Sequence, residues 1–156
     1  MEFQISALDL DQFSHLFGQS VNALANQGVQ RMVVDSNPGY PCRVSLRDAE
    51  VGETVLLLNY EHQPMPTPYR SSHAIFVREH AKQAMLEKNE VPQTFRHRLL
   101  SLRAFDVSGM MVDADIIHGD CLESLIKRML ANESAEYLHI HNARRGCYAA
   151  LARRGW

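Results

Sequence analysis

The feature that most constrains the fold is a pair of apolar, strand-length runs joined by a connection that cannot itself be a strand. Residues 54–60 and 74–77 are apolar on both faces, as central buried strands are. The connection between them contains Pro64, Pro66 and Pro68, which remove backbone donors and stiffen the chain toward an extended path. The sequence therefore predicts two buried strands that hold a rigid polar loop at both of its ends.

Most of the remaining chain is also divided into short apolar runs. Aliphatic and β-branched residues separated by Gly, Pro and acidic turns are typical of strands. One short helix is predicted at residues 81–89. Further strands are predicted at residues 3–8, 31–34, 42–46, 99–107, 110–117, 137–142 and 147–152.

Two main helices are predicted. An apolar stripe at residues 13–24 follows a capping pair, Asp9 and Gln12. Residues 122–130 form a second apolar face, with Asp120 as the predicted cap. Because these helices do not alternate regularly with strands, we predict an α+β fold with a largely antiparallel sheet of mixed strand lengths and two main helices.

Length and charge narrow the class of protein. With 156 residues, the chain is expected to form a single globular domain over residues 1–156. The net charge of -2 argues against a basic nucleic-acid binder. No apolar run approaches the roughly 18 residues of a membrane span. The N-terminus lacks the basic start and apolar block of a secretory signal, so a cytoplasmic location is predicted.

Cysteine usage excludes two further classes. The three cysteines, Cys42, Cys121 and Cys147, are odd in number and lack C-x-x-C spacing. This pattern argues against a disulfide framework and against a structural zinc knuckle. All three are predicted to be reduced thiols.

A first polar patch covers residues 61–73, at the proline-stiffened connection. Glu61 and His62 are candidates for proton transfer, and Arg70 is a candidate for clamping a carboxylate or phosphate. The alternative is structural, with Glu61 paired to Arg70, Tyr69 packed, and the prolines merely shaping a surface loop.

A second polar patch covers residues 139–148. Strand alternation places Tyr137, His139 and His141 on one face and the apolar residues between them on the other. If the apolar residues face the core, the histidines are expected to face solvent or a cleft.

The predicted strands at residues 137–142 and 147–152 are expected to form a hairpin, and its turn decides which residue lies beside the histidines. A three-residue loop with Gly146 in the left-handed conformation is preferred, which pairs Ala143 with Cys147 and puts the thiol on the histidine face. A four-residue loop is the alternative, and it pairs Asn142 with Cys147 and places the thiol opposite.

Three interpretations of the second patch remain open. His139, His141 and Cys147 have the donor atoms for zinc or a similar metal. Alternatively, Arg144 and Arg145 lower the pKa of Cys147 and make it a nucleophile, with His141 as its base. In the third, the patch binds an anion or is purely structural.

Several ungapped blocks of this chain resemble the bacterial family called domain of unknown function 1203. The blocks occur in the family's order and lie at residues 38–49, 52–53, 60–64, 68–72, 75–79 and 141–148. The family looks like small, soluble, single-domain bacterial proteins without an assigned activity. The resemblance therefore implies no catalytic residue, but it draws attention to both patches and adds Cys42 and Arg43.

The leading functional interpretation is a domain that binds a small molecule or anion. Its ligand-binding residues are predicted to be Arg43, Glu61, Tyr69, Arg70, Arg144 and Arg145. Candidate catalytic residues are His62, His141 and Cys147. The alternatives are a metal-assisted enzyme that uses His139 and His141, a cysteine-based enzyme, and a non-catalytic partner-binding module that forms a homodimer through an exposed sheet edge.

Overall fold

The computed structural model describes residues 1–155, which form three helices and eight strands. The helices are α1 (Val21–Ala25), α2 (Gln93–Arg96) and α3 (Leu122–Leu130), and none of them is long and apolar enough to cross a membrane. The strands are β1 (Phe3–Ser6), β2 (Gln30–Val33), β3 (Thr54–Gln63), β4 (Ser71–Arg78), β5 (Leu99–Phe105), β6 (Met111–His118), β7 (Tyr137–Asn142) and β8 (Tyr148–Arg154). These strands form two antiparallel sheets accompanied by few helices, which confirms the predicted α+β class.

The chain divides into two compact units. The first comprises Met1–Ser6, Glu61–His73 and the residues from Met85 onward, and it contains a five-stranded sheet of order β1-β8-β7-β5-β6. The second comprises Ala7–Tyr60 and Ala74–Ala84, which include β2 and most of β3 and β4. Both polar patches of the sequence thus belong to the first unit.

Helix α3 covers one face of the five-stranded sheet. Arg128 on this helix pairs with Asp113 and Asp115 of β6, which identifies the covered face. The cross-strand partners of these aspartates on β5 are Ala104 and Leu102, both fully buried. The buried helix residues recur at helical spacing and are Leu122, Leu125, Ile126, Met129 and Leu130. Alternate residues of the central strands therefore point to the face away from α3.

The predicted first main helix is wrong. The chain instead forms two 3-10 turns, Leu10–Gln12 and Ser14–Leu16, followed by the five-residue α1. Gly18 separates them with a φ of 75°, in the left-handed region where a right-handed helix cannot continue. Ser20 then starts α1 by accepting a hydrogen bond from the Ala23 amide at 3.1 Å.

The second predicted helix is confirmed over residues 122–130, but its predicted cap is wrong. A 3-10 turn precedes α3, and the side chain of His118, rather than Asp120, caps that turn. The strands predicted at residues 99–107 and 110–117 are confirmed as β5 and β6, which pair with each other in an antiparallel arrangement. Two other predicted elements also do not form: the strand at residues 42–46, which is a turn, and the helix at residues 81–89.

In the second unit, one carboxylate ties three segments together. Arg31 of β2 donates from Nε to Glu79 Oε1 at 2.6 Å, and the Gly18 amide donates to Glu79 Oε2 at 3.0 Å. The Glu79 side chain is 6% exposed. The hydrogen bond from Arg31 lowers the pKa of Glu79 to about 2. This carboxylate therefore remains charged. It connects the residue that follows β4 to β2 and to the backbone at Gly18, where the helical segment is interrupted.

Candidate metal centre

Alternate residues of β7 face away from α3, as the sequence pattern predicts. The antiparallel register pairs His139 with Arg103 and His141 with Ser101 of β5, so these four side chains share one face. Leu138 and Ile140, which alternate with the histidines along β7, lie on the other face. The expectation that the histidines face solvent or a cleft is not met, because His139 is 3% exposed and His141 is 0% exposed.

Two further histidines come from the strand ends that flank the proline loop. His62 lies near the end of β3 and His73 near the start of β4. The ring centroid of His62 is 4.8 Å from that of His73, 5.4 Å from that of His139 and 4.8 Å from that of His141. We call these four side chains, all within the first unit, the histidine cluster.

Three members of the histidine cluster bring ring nitrogens together as a metal site requires. One ligand atom each from His62, His73 and His141 lies within 4.8 Å of the other two. The shortest separation is 2.7 Å, between His73 Nδ1 and His62 Nε2. No carboxylate or thiol belongs to this group, so its donors are imidazole nitrogens alone.

The ring of His141 has a defined tautomer. Its Nδ1 lies 2.9 Å from the carbonyl oxygen of Gly146, which can only accept a hydrogen bond. Nδ1 therefore carries the proton and Nε2 carries a lone pair. That Nε2 is buried and has no hydrogen-bond partner among the described residues. An unpartnered lone pair on a ring that belongs to a cluster of imidazoles is the state that a metal ligand needs before it binds.

Burial keeps the histidine cluster neutral. It lowers the pKa of His62 to about 4, of His139 to about 3 and of His141 to about 2, and the nearby positive charge of Arg103 contributes to each shift. Burial also lowers the pKa of His73. All four rings are therefore neutral at neutral pH, and each has one nitrogen without a proton. This matters because only neutral imidazole binds a metal.

His139 lies beside the group of three histidines described above and contacts one of them, His62. Its Nδ1 is 3.4 Å from Nδ1 of His62. The ring of Tyr148 stacks on His62 at 5.3 Å with an interplanar angle of 8°, and Phe105 lies 5.0 Å from the ring of His139. Aromatic rings thus limit how far His62 and His139 can rotate.

The hairpin register differs from the preferred prediction. His141 pairs with Tyr148, and the Asn142 amide donates to the Cys147 carbonyl at 2.9 Å, so the four-residue alternative is the one that forms. A register shift between Ile140 and His141 accompanies it. Gly146 does adopt the predicted left-handed conformation, with a φ of 76°. Tyr148 therefore occupies the histidine face in place of Cys147.

Cys147 is consequently separated by register from its proposed base. Its Sγ lies 3.5 Å from Nδ2 of Asn142, and it is not part of the group formed by His62, His73 and His141. Arg144 and Arg145 are exposed in the turn. The predicted arrangement of Cys147 as a nucleophile beside His141 relied on the three-residue loop, which does not form.

The first patch matches its structural alternative at Glu61 and Arg70. Arg70 Nε donates to Glu61 Oε2 at 3.0 Å, with both side chains well exposed. Tyr69 is 37% exposed and meets the ring of Phe105 edge-on at 6.4 Å. Arg43, which the family resemblance added to the candidates, belongs to the second unit and is 2% exposed. Within the first unit, Glu61, Tyr69 and Arg70 are not members of the group formed by His62, His73 and His141.

Sequence reasoning missed two side chains that the structure places with the predicted histidines. His73 was visible at the far end of the proline loop, and two paired strands joined by that loop bring their ends together. Arg103 had no local signal, because it joins the cluster through pairing of β5 with β7, and the partner strand begins more than thirty residues later.

Comparison with known proteins identifies a family but no characterised relative. A family model with the description "Protein of unknown function (DUF1203)" matches residues 39–154. No match is found among curated proteins or among solved structures.

Proposed function

The chain belongs to the DUF1203 family, and we propose that it binds one divalent transition-metal ion of the zinc type. The ligands in this proposal are His62, His73 and His141. Two observations carry it: one ring nitrogen from each of these three residues lies within 4.8 Å of the other two, and the buried Nε2 of His141 has no hydrogen-bond partner among the described residues. A buried polar atom without a partner costs about 1–3 kcal/mol, and metal coordination removes that cost.

The spacing of the nitrogens is close to that of a coordinated ion. Zinc-to-nitrogen bonds of about 2.0–2.1 Å in a tetrahedron put two ligand nitrogens about 3.3 Å apart. His62 Nε2 and His73 Nδ1, now 2.7 Å apart, would separate slightly, and the wider pairs, within 4.8 Å, would close. His73 is only partly buried and can make most of this adjustment by rotating its ring.

Two of the proposed ligands also have the hydrogen-bond partners that usually hold a metal-binding histidine in orientation. The carbonyl of Gly146 holds the Nδ1 proton of His141. With Nε2 of His62 on the ion, its Nδ1 proton points toward Nδ1 of His139, 3.4 Å away. His139 would therefore position His62 rather than bind the metal, which changes the role that the sequence suggested for it.

Three protein ligands leave one coordination position open. Structural zinc sites usually have four protein ligands, whereas catalytic ones have three plus a water or substrate. The three-histidine set thus favours a site at which the ion can polarise a bound molecule or lower the pKa of a bound water. We propose this chemistry as the functional class of the site.

Isothermal titration of untagged, chelator-treated protein with Zn²⁺ tests the proposal. We expect one ion per chain in the wild type and a loss of affinity of about 100-fold or more in His73→Gln, since one of three ligands is removed. His73 is chosen because it is less buried than His62 and His141, which lowers the risk of unfolding.

His15→Gln is the matched control, because His15 is exposed and belongs to the second unit. It should bind Zn²⁺ like the wild type. Wild-type protein that takes up far less than one equivalent of Zn²⁺, Co²⁺ or Ni²⁺ while remaining folded would contradict the proposal.

A further inference from the structure

We propose that the open position of this ion and the guanidinium of Arg103 together bind a small oxyanion, a carboxylate or a phosphate. The inference rests on the proposed metal site and names the class of ligand that the site takes. It assigns anion binding to Arg103 instead of to the arginines that the sequence suggested.

Arg103 is held against the histidine cluster by strand pairing. It lies in the middle of β5, directly opposite His139 of β7, and two residues from Ser101, which pairs with His141. Directly paired residues of antiparallel strands project from the same face. Arg103 is only partly exposed, so its guanidinium is restricted to this face of the first unit.

Within residues 1–155, no carboxylate compensates the charge of Arg103. Among the described residues, no hydrogen bond or ion pair joins Arg103 to a carboxylate, and burial alone accounts for the lowering of its pKa. Arg153 adds a second positive charge that lowers the pKa of His139, and its guanidinium carbon lies 5.7 Å from the ring centre of Tyr137. Other arginines of the chain that have carboxylate partners are Arg31, Arg70, Arg78, Arg96 and Arg128.

Adding a metal ion sharpens this imbalance. Three neutral imidazoles bring no negative charge, so a divalent ion beside Arg103 creates a strongly positive, half-buried site. A half-buried positive charge is costly unless an opposite charge is brought to it. A bound anion supplies that charge. The electrostatics of the site therefore select a negatively charged ligand over a neutral one.

The geometry of the two positive groups favours an oxyanion in particular. A guanidinium presents parallel N–H donors that match two oxygens of a carboxylate or phosphate. A zinc-type ion takes an oxygen in its open position. An oxyanion can place one oxygen on the ion and another on Arg103, whereas a halide has a single atom and cannot satisfy both groups.

The test uses the full, untagged chain loaded with Co²⁺, whose visible absorption reports its coordination. Sodium phosphate and sodium acetate are titrated separately into the wild type, Arg103→Gln and Arg103→Lys. We expect saturable spectral changes in the wild type and anion affinity lowered about 10- to 100-fold in Arg103→Gln, as loss of charge-assisted hydrogen bonds predicts. The anion affinity of Arg103→Lys should lie between those of the wild type and Arg103→Gln, because lysine keeps the positive charge but lacks the paired N–H donors of a guanidinium.

Arg47→Gln is the control variant, since Arg47 is exposed and lies in the second unit, and it should match the wild type. Cobalt affinity should match the wild type in Arg47→Gln, and in Arg103→Gln it should be no weaker, because loss of a positive charge beside the ion does not oppose its binding. Comparison of the two titrations shows whether phosphate or carboxylate is the preferred oxyanion.

The outcomes that would overturn the proposal differ for the role of Arg103 and for the metal site. Equal anion affinity in the wild type and both Arg103 variants, or no spectral response to either anion, overturns the role of Arg103 while leaving the metal site intact. A wild type without any cobalt spectrum overturns the proposed metal site itself, and the oxyanion inference with it. If Arg103→Gln does not fold, the comparison with Arg103→Lys decides.

Discussion

At His141, the hydrogen bond made by one ring nitrogen determines what the other nitrogen can do. The carbonyl of Gly146 holds the Nδ1 proton, so the lone pair is on Nε2, which is buried and has no partner among the described residues. The ring is fully buried and has no freedom to exchange one nitrogen for the other without losing that bond. A single backbone carbonyl thus selects the tautomer, and with it the ligand atom.

The same reasoning at His139 gives a prediction that separates a positioning residue from a ligand. His139→Gln removes the ring that meets Nδ1 of His62, so Zn²⁺ affinity should fall about 10- to 100-fold. The stoichiometry should remain one ion per chain, which isothermal titration measures directly. Complete loss of binding would instead make His139 a ligand, and unchanged affinity would remove it from the site.

At the scale of elements, the strands were more predictable than the helices. Strand alternation on β7 depends on local pattern alone, and it correctly separates the histidines from Leu138 and Ile140. The first helix failed because Gly18 takes a positive φ, which an apolar stripe does not reveal. The hairpin turn failed because a register shift after Ile140 adds a residue that pairing rules for regular strands do not include.

The candidate site was predictable only in part. His62 and His141 stand out by local composition, but their meeting depends on the packing of distant strands. His73 and Arg103 join them for the same reason, and strand pairing over long sequence separations has no local signature. Sequence patterns therefore named His141 as a metal candidate and His62 as a proton-transfer candidate, and they missed His73 and the charge of Arg103.

A tight contact near α3 gives a prediction for stability. A Cβ added to Gly119 would lie 1.6 Å from the carbonyl oxygen of Phe95, which is backbone and cannot move aside. Gly119→Ala should therefore destabilise the protein by more than about 3 kcal/mol, at the upper end of overpacking costs. Urea unfolding at neutral pH measures the difference.

Gly18→Ala is the comparison for this experiment. A Cβ there meets nothing within 4 Å, so the substitution costs only the strained left-handed backbone, about 1–2 kcal/mol. If Gly119→Ala proves no more destabilising than Gly18→Ala, the close approach to Phe95 is relieved by backbone movement.

The Glu79 carboxylate gives a prediction for acid stability. Its pKa is lowered to about 2 by the hydrogen bond from Arg31, whereas an unperturbed glutamate titrates near 4.5. The unfolded chain therefore binds the proton first as pH falls. The stabilisation is complete above about pH 4.5 and is lost as pH falls toward 2.

Thermal unfolding of the wild type and Glu79→Gln from pH 7 downward measures this effect. The wild type should be more stable by a few degrees at neutral pH, and the two melting temperatures should converge in acid. A difference that stays constant across this range would mean that the charge of Glu79 contributes nothing.

At the scale of the whole molecule, metal binding should appear as stability. An ion that binds only the folded chain adds about 2.7 kcal/mol when its free concentration is 100 times its dissociation constant. Zn²⁺ should therefore raise the melting temperature of the wild type, and a chelator should reverse the shift. His73→Gln should show little response, and an equal response in both proteins would point to a different binding site.

Several whole-molecule expectations remain predictions. They are a single globular domain, a cytoplasmic location, a bacterial source and a homodimer formed through an exposed sheet edge. The edge strands of the five-stranded sheet are β1 and β6. β6 carries Asp113 and Asp115, both engaged by Arg128, and charged side chains on an edge oppose strand-to-strand association.

The all-nitrogen character of the ligand group has a consequence for selectivity and durability. Magnesium and calcium prefer oxygen donors, so a centre made only of imidazoles disfavours these hard divalent cations. Imidazole also lacks the oxidation chemistry through which a thiolate releases its metal. The protein would therefore discriminate against hard cations and retain its ion under oxidative stress, conditions under which cysteine-rich centres fail.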